Sequence, residues 1–320
     1  MLLLAPTYET SLAHSLVKAF AHLGHDVVLV EWPPPMPRLA AAAAHRLRFA
    51  TLLAGRRLYA ELLSTDGPFD FVLVMKGSYI QSSHIRFLRD TYSCPVLCWN
   101  ADNPFDKALS NSGAGIPSAI RHYDIYVTWT DVIARTLQRH GAHPLVVPFG
   151  WDNYTFYPDA QSTNLVNEVR GRATFVGTWT RERETWLMSI SDFEPIVFGN
   201  GWPKNGRLDI RPSVSGSSLR SIFTCSGVSL NFLRPQNKES HNMRTFEILG
   251  CGGWEVATRS PEHEIYATRY PSLSLFSSLA ELRDLLEIGR QTESPALCQG
   301  LERETYTARV QHLINAVDSL

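Results

Sequence analysis

Short apolar runs alternate with stretches of helical periodicity from the first residues onward. Leu2–Ala5 reads as a buried strand. Thr10–Leu23 then carries apolar residues at helical spacing (Leu12, Leu16, Ala19, Phe20 and Leu23), and Gly24 follows as a stop signal. Val27–Val30 is the next strand, so these elements predict a β-α-β unit. After a proline-rich break over Trp32–Pro37, helical spacing is predicted over Leu39–Leu63. Further strands are predicted at Phe71–Met75, Val96–Trp99, Ile125–Trp129 and Leu145–Val147, with helices at Ser83–Asp90 and Val132–His140. Between them runs a polar, irregular loop, Asn100–Pro117, and loops of that length in compact domains commonly carry function.

Periodicity fades over Pro148–Gly171 and then restarts. Strands are predicted at Ala173–Val176, Pro195–Phe198, Gly227–Phe232, Trp254–Ala257 and Leu273–Phe276. Helices are predicted near Glu182–Ser191, Ser218–Thr224, Met243–Leu249 and Leu279–Ile288, and from Ala296 onward. Strands that alternate with helices form parallel sheets covered on both faces. The chain therefore reads as α/β, with Rossmann-like domains over residues 1–150 and 172–301 joined by a linker over 151–171. Ligands of such sheets bind beyond the carboxyl ends of the strands, so chemistry is sought there.

Composition narrows the function classes. A hydrophobic fraction of 44% excludes a disordered chain. With 30 Lys plus Arg against 31 Asp plus Glu, the net charge of -1 argues against a surface coated for nucleic acid. Cys94, Cys98, Cys225, Cys251 and Cys298 are scattered without paired spacing and read as reduced intracellular thiols. The apolar run at Met1–Leu4 is too short for a signal peptide, and no run approaches the roughly 20 residues of a spanning helix. A cytoplasmic protein without a transmembrane segment is expected.

Three segments beyond strand ends carry candidate chemistry. The first is Asn237–Gly253, which follows a strand and opens a helix. Helix-start amides with the dipole behind them attract anions, and Lys238 and Arg244 add positive charge. Glu239 and Glu247, seven residues apart in between, suit hydrogen bonds to sugar or ribose hydroxyls. The plain alternative is a surface loop leading into an ordinary buried helix. The second is Phe175–Arg183, where Gly177 and Thr178 end a strand and Arg181 and Arg183 open the next helix. Its plain alternative is a solvated helix face with the arginines paired to Glu182 and Glu184. The third, Phe198–Trp202, has two glycines and also reads as a simple turn. In the first domain, Asp102 and Asn103 lie beyond the fourth strand, Lys76 beyond the third and Tyr8 beyond the first. Asx turns explain Asp102 and Asn103 equally well. The arginines 46, 48, 56 and 57 read as a solvated helix face, with an acidic acceptor or membrane surface as the alternative. No pair of aspartates stands at a strand end to hold a metal.

The run His241-Asn-Met-Arg-Thr-Phe-Glu-Ile-Leu-Gly-Cys-Gly-Gly253 closely resembles the signature of the CgeB-like (spore-maturation-protein-like) glycosyltransferases, within the retaining GT-B superfamily that carries an E-x7-E motif. Val72–Gly77, Trp99-Asn-Ala-Asp-Asn-Pro104, Tyr123-Asp124, Val147–Asp152 and Phe175–Thr178 with Arg183 match in the same order, so the likeness spans most of the chain. Trp254 and Glu255 are less apolar than the family's pattern.

The resemblance implies a GT-B fold, two Rossmann-like domains facing a central cleft, with the final helix over 302–320 returning to the first domain. It implies metal-independent, cofactor-free hexosyl or pentosyl transfer from a nucleotide-diphosphate sugar to an acceptor hydroxyl, with retention. Glu247 would contact the ribose and Glu239 the donor sugar. Arg183, or else Arg181, would neutralise the diphosphate, and Gly177, Thr178, Lys238, Asn242, Met243, Arg244 and Thr245 would complete the donor site. Asp102 would act as a base or position the acceptor, with Tyr8, Lys76 and Asn103 beside it. The acceptor is a small molecule, glycan or protein, with nucleic acid less favoured. The alternatives are a non-catalytic sugar-nucleotide-binding module, or a glycosyltransferase acting on nucleic-acid bases. Sugar, base, acceptor and oligomeric state stay open.

Overall fold

A computed structural model describes residues 1–6, 11–33, 58–59, 62, 64–106, 115–159, 164–203, 206–289 and 298–320. It divides into two compact units, Met1–Pro148 together with Thr307–Leu320, and Phe149–Tyr306.

The first unit is built on six parallel strands: β1 (Leu2–Ala5), β2 (Val28–Glu31), β3 (Val72–Met75), β4 (Val96–Trp99), β5 (Ile125–Thr128) and β6 (Pro144–Val146). Their order is β2-β1-β3-β4-β5-β6, so the direction of winding reverses between β1 and β3. Every residue of β1, β3, β4 and β5 is buried, because helices cover both faces of a parallel sheet. That is why these strands are continuous apolar runs in the sequence. The helices are α1 (Leu12–His22), α2 (Ser82–Tyr92), α3 (Ile116–Ala119) and α4 (Asp131–Arg139). The Ser11 hydroxyl starts α1 by accepting from the His14 N–H at 3.3 Å, and Ala13, Leu16, Ala19 and Phe20 form its buried face. The helix expected over Leu39–Leu63, with its four arginines, falls almost entirely outside the described residues.

The second unit repeats the plan with β7 (Ala173–Val176), β8 (Ile196–Phe198), β9 (Asp209–Arg211), β10 (Val228–Asn231), β11 (Glu255–Thr258) and β12 (Leu273–Phe276). Its order, β12-β11-β10-β7-β8-β9, reverses between β7 and β10. The helices are α5 (Asn164–Val169), α6 (Arg181–Ser189), α7 (Gly216–Cys225), α8 (Met243–Gly250), α9 (Pro261–Ala267) and α10 (Leu279–Gly289).

Four features differ from expectation. The stretch 151–171, read above as a linker, carries α5, whose Val166 and Val169 join the same core cluster as Ile196 and Ile222. Its six residues are too few to display a helical repeat. β9 escapes for a similar reason, being three residues held by ion pairs of Arg211 with Asp209 and Glu168. α9 is announced by capping rather than periodicity, with Pro261 in its first turn and the Ser260 hydroxyl accepting from His263 N–H. The terminal helix, α11 (Tyr306–Val317), follows a 3₁₀ turn at Leu301–Glu304 rather than running on from Ala296.

Trp151 anchors the start of the second unit. Its indole N–H donates to Leu301 O at 3.3 Å, and its ring packs on Gly250 of α8. A β-carbon at Gly250 would lie 2.3 Å from that ring. Gly250→Ala is therefore expected to destabilise the protein by about 1–3 kcal/mol through overpacking, measured by denaturant unfolding. Unchanged stability would mean that the indole can move aside.

Candidate functional site

The reversal between β7 and β10 places two strand ends side by side, pointing at the starts of α6 and α8. α8 begins at Asn242, whose backbone is extended and whose Oδ1 accepts from Arg244 N–H at 3.0 Å. This cap leaves the dipole of α8 directed toward its N-terminus. One turn in, Arg244 Nη1 meets Glu247 Oε2 at 2.6 Å, and the guanidinium lies 5.1 Å from the centre of the Phe223 ring. Glu247 is buried, and burial pushes its carboxyl up. Arg244 pulls it back, and Asp152 pushes it up again.

Arg183 sits at the third position of α6, where its own N–H donates to the Thr180 hydroxyl that caps the helix. The side chain turns inward and spans the two strand ends. Its Nε and Nη2 donate to Phe232 O, just past β10, at 3.3 and 3.0 Å. Its Nη1 donates to Thr178 O, just past β7, at 3.0 Å. The guanidinium lies 5.3 Å from the Phe175 ring centre and only 8% of the residue is exposed. Burial, together with the charges of Arg234 and Arg244, lowers its pKa to about 10. It therefore stays cationic at neutral pH, and among the described residues no carboxylate forms an ion pair with it.

The solvated-face reading fails for Arg183 but fits Arg181, which is exposed. Glu184 instead accepts from the Trp179 indole N–H at 2.9 Å. Gly177 O accepts from the Trp202 indole N–H at 2.9 Å, which ties the loop after β7 to the loop after β8. Gly199 makes this possible: its φ is +159°, and a β-carbon there would lie 2.0 Å from Gly177 O. Gly199→Ala is expected to separate the two loops and weaken any ligand held at Gly177, read by calorimetric titration; an unchanged affinity would place the ligand elsewhere.

Thr178, Lys238 and Glu239 are exposed, and Asn242, Met243 and Arg244 are half-buried around the helix start. Thr245 is a correction. It is fully buried and faces the sheet, with its hydroxyl 3.0 Å from Glu255 Oε1 and 2.9 Å from His263 Nε2, so it cannot touch a ligand. Helical spacing explains the reversal, since Thr245 points toward the core while Arg244 points away. Arg234 was missed. It is exposed three residues past β10 and contributes to the positive field at Arg183. Its position after a strand end in Phe232-Leu-Arg-Pro was the available signal.

In the first unit, Lys76 (φ +64°), Gly77 (φ +79°) and Tyr79 (φ +64°) are left-handed just beyond β3. Such backbone is costly for Lys and Tyr and tends to collect at functional sites. Lys76 N–H donates to Trp99 O at the end of β4, and its Nζ meets Asp102 Oδ2 at 2.7 Å. Asx turns are present too: Asn100 Oδ1 accepts from Asp102 N–H, and Asn103 Oδ1 from Phe105 N–H. Asn100 and Asn103 thus shape the loop, which presents the half-exposed carboxylate of Asp102. Tyr8 lies outside the described residues.

Among the described residues, no helix is long and apolar enough to cross a membrane. The Glycosyl transferase-like family model matches residues 181–315, which include α6, the helix that carries Arg183, and α8. A comparison with curated proteins finds no match. Solved structures are similar over the whole chain. Sucrose-phosphate synthase from Thermosynechococcus elongatus aligns with a TM-score of 0.64 at 12% identity, covering 100% of this chain and 99% of that one. Anabaena HepE in complex with UDP-glucose aligns at 0.64 and 10% identity, covering 100% and 99%. AviGT4, a glycosyltransferase involved in avilamycin A biosynthesis, aligns at 0.62 and 11% identity, covering 100% and 98%. With its two parallel six-stranded sheets and interleaved helices, the chain has the GT-B fold.

Proposed function

We propose that this protein is a glycosyltransferase that takes a sugar from a nucleotide diphosphate and passes it to an acceptor hydroxyl. The observation that carries this reading is Arg183, a buried cation laid across the carboxyl ends of β7 and β10 where the strand order reverses. Open α/β sheets bind ligands at that reversal. The helix start of α8 lies at the same end of the sheet, and Arg244 adds its charge beside Arg183.

Breaking the bond between sugar and diphosphate leaves negative charge on the departing phosphate. Guanidinium and helix-start amides held in place beforehand stabilise that charge without reorganising. Glu247, fixed by Arg244, is assigned to the ribose hydroxyls and Glu239 to the sugar. Asp102, held by Lys76 in the first unit, is assigned to the acceptor hydroxyl. Retention rests on Glu239 and Glu247, CgeB-like kinship on the run His241–Gly253 and the segments that match in order with it, and metal independence on the GT-B class and the lack of a paired-aspartate motif at a strand end in the sequence. The HepE complex makes UDP and UDP-glucose the first ligands to try.

Thermal unfolding against a panel of nucleoside diphosphates and nucleotide sugars tests the donor site. Free ligand at a hundred times its Kd stabilises by about 2.7 kcal/mol. A shift confined to one nucleotide family would support the reading, and turnover on an acceptor would separate a transferase from a binding module. No shift with any nucleotide would overturn it.

A further inference from the structure

Glu255 is fully buried in β11, flanked by β12 and β10 in a parallel sheet whose strands are otherwise largely apolar. Its Oε1 lies 2.6 Å from Asn231 Nδ2 and 3.0 Å from Thr245 Oγ1, while Oε2 has no hydrogen-bond partner among the described residues. Thr245 Oγ1 also lies 2.9 Å from His263 Nε2, and His263 Nδ1 lies 2.9 Å from Thr258 O. Asn231, Thr245 and His263 are buried as well.

The protons of this network can be counted. Thr258 O only accepts, so His263 Nδ1 carries a proton. Burial lowers the histidine to about 4, so near neutral pH its Nε2 is bare and accepts. Thr245 has one hydroxyl proton, and it goes to His263. The contact between Thr245 and Glu255 then needs a proton on the carboxyl group. Burial also raises Glu255 to about 7, against the hydrogen bond of Asn231 and the charge of Arg244.

We infer that Glu255 is held as a neutral carboxylic acid and serves as a positioning residue, keeping the start of α8 free of opposing charge so that it can take an anion. The second half of this inference rests on the reading of α8 as part of the donor site. The connection is short. Asn231 Nδ2 donates to Glu255 and, at 3.0 Å, to the Oδ1 of the cap residue Asn242, whose Nδ2 donates back to Asn231 Oδ1 at 2.9 Å. A carboxylate at Glu255 would set a negative charge behind the first turn of α8 and oppose its dipole. The charged and titratable groups around the network are Arg244 and Glu247 on α8, Glu262 and His263 on α9, and His241 before α8, whose Nδ1 lies 2.8 Å from Glu262.

Folding accordingly relocates one proton. In the unfolded chain between about pH 4.3 and 6.5 the histidine is charged and the glutamate ionised. In the native protein the carboxyl holds the proton and the imidazole is neutral. The raised carboxyl makes stability fall as pH rises through that window, and the depressed histidine makes it rise by a similar amount, so the two offset.

Glu255→Gln keeps the shape and cannot ionise, and its amide serves either Asn231 or Thr245 at that atom rather than both, so it removes one side of this balance. Urea unfolding of the full chain should show the folding constant of E255Q rising about tenfold per pH unit relative to wild type across that window. Equal slopes would overturn the inference. If E255Q does not fold, the wild-type infrared band of a buried carboxylic acid still decides: it should bleach between about pH 6 and 8, and its absence at neutral pH would mean an ionised Glu255 with a charged His263. UDP titration supplies the second half, since wild-type affinity should fall above about pH 7 more than that of E255Q. Equal pH dependence would overturn the positioning role. A wild type that binds UDP at no pH would instead overturn the donor-site reading, leaving the unfolding and infrared results to decide the state of Glu255.

Discussion

Replacing Arg183 with alanine is expected to lower turnover by about a hundred- to a thousandfold, the usual cost of removing one preorganised donor to developing charge. The reason lies in what holds the guanidinium. Three of its hydrogen bonds go to Phe232 O and Thr178 O, and its Cζ lies 5.3 Å from the centre of the Phe175 ring. The cation therefore does not have to be recruited when charge develops on the leaving diphosphate. Arg183→Lys should recover little, because one ammonium cannot reach both strand ends in the same plane. Both variants lose contacts, so folding is checked first by near-UV dichroism and rates are then compared under saturating donor. Wild-type turnover in a folded R183A would move the role to the exposed Arg181.

Glu247→Ala is expected to weaken donor binding about ten- to a hundredfold, the worth of a charged hydrogen-bonding group toward a hydroxyl. The buried carboxylate is oriented by Arg244 at 2.6 Å, so it presents a fixed acceptor. Alanine would also leave Arg244 without that partner, which costs stability. Glu247→Gln retains the shape and separates the two effects: a Gln variant that folds like wild type yet binds nucleotide weakly would assign the carboxylate to the ligand. Unchanged affinity in both variants, measured by calorimetry, would make Glu247 structural.

The repeating strand-helix pattern was legible because parallel strands covered on both faces must be apolar throughout, as in Leu2–Ala5 and Val72–Met75. α5 and β9 were not, since three to six residues are too short to express a period. In the site, the residue types were readable but their directions were not. Arg181 and Arg183 look alike in sequence, yet one is exposed and the other bridges two strand ends. Thr245 sits inside the most recognisable motif and points into the core. Glu255 looked like a departure from an apolar pattern, and its buried partners Asn231, Thr245 and His263 come from three other elements. In the first unit the carboxylate of Asp102 is held by Lys76, whose left-handed backbone no residue type announces.

The membership of Thr307–Leu320 in the first unit has a consequence for how the chain comes to fold. On the ribosome, residues 149–306 emerge as an uninterrupted stretch and hold all the strands of their own sheet. The first unit emerges earlier but stays incomplete until Val310 and Leu313, both fully buried, have been made. Its closing contacts join parts of the chain far apart in sequence, such as Asp124 and Leu320, which line one pocket, the kind of long-range closure that slows folding.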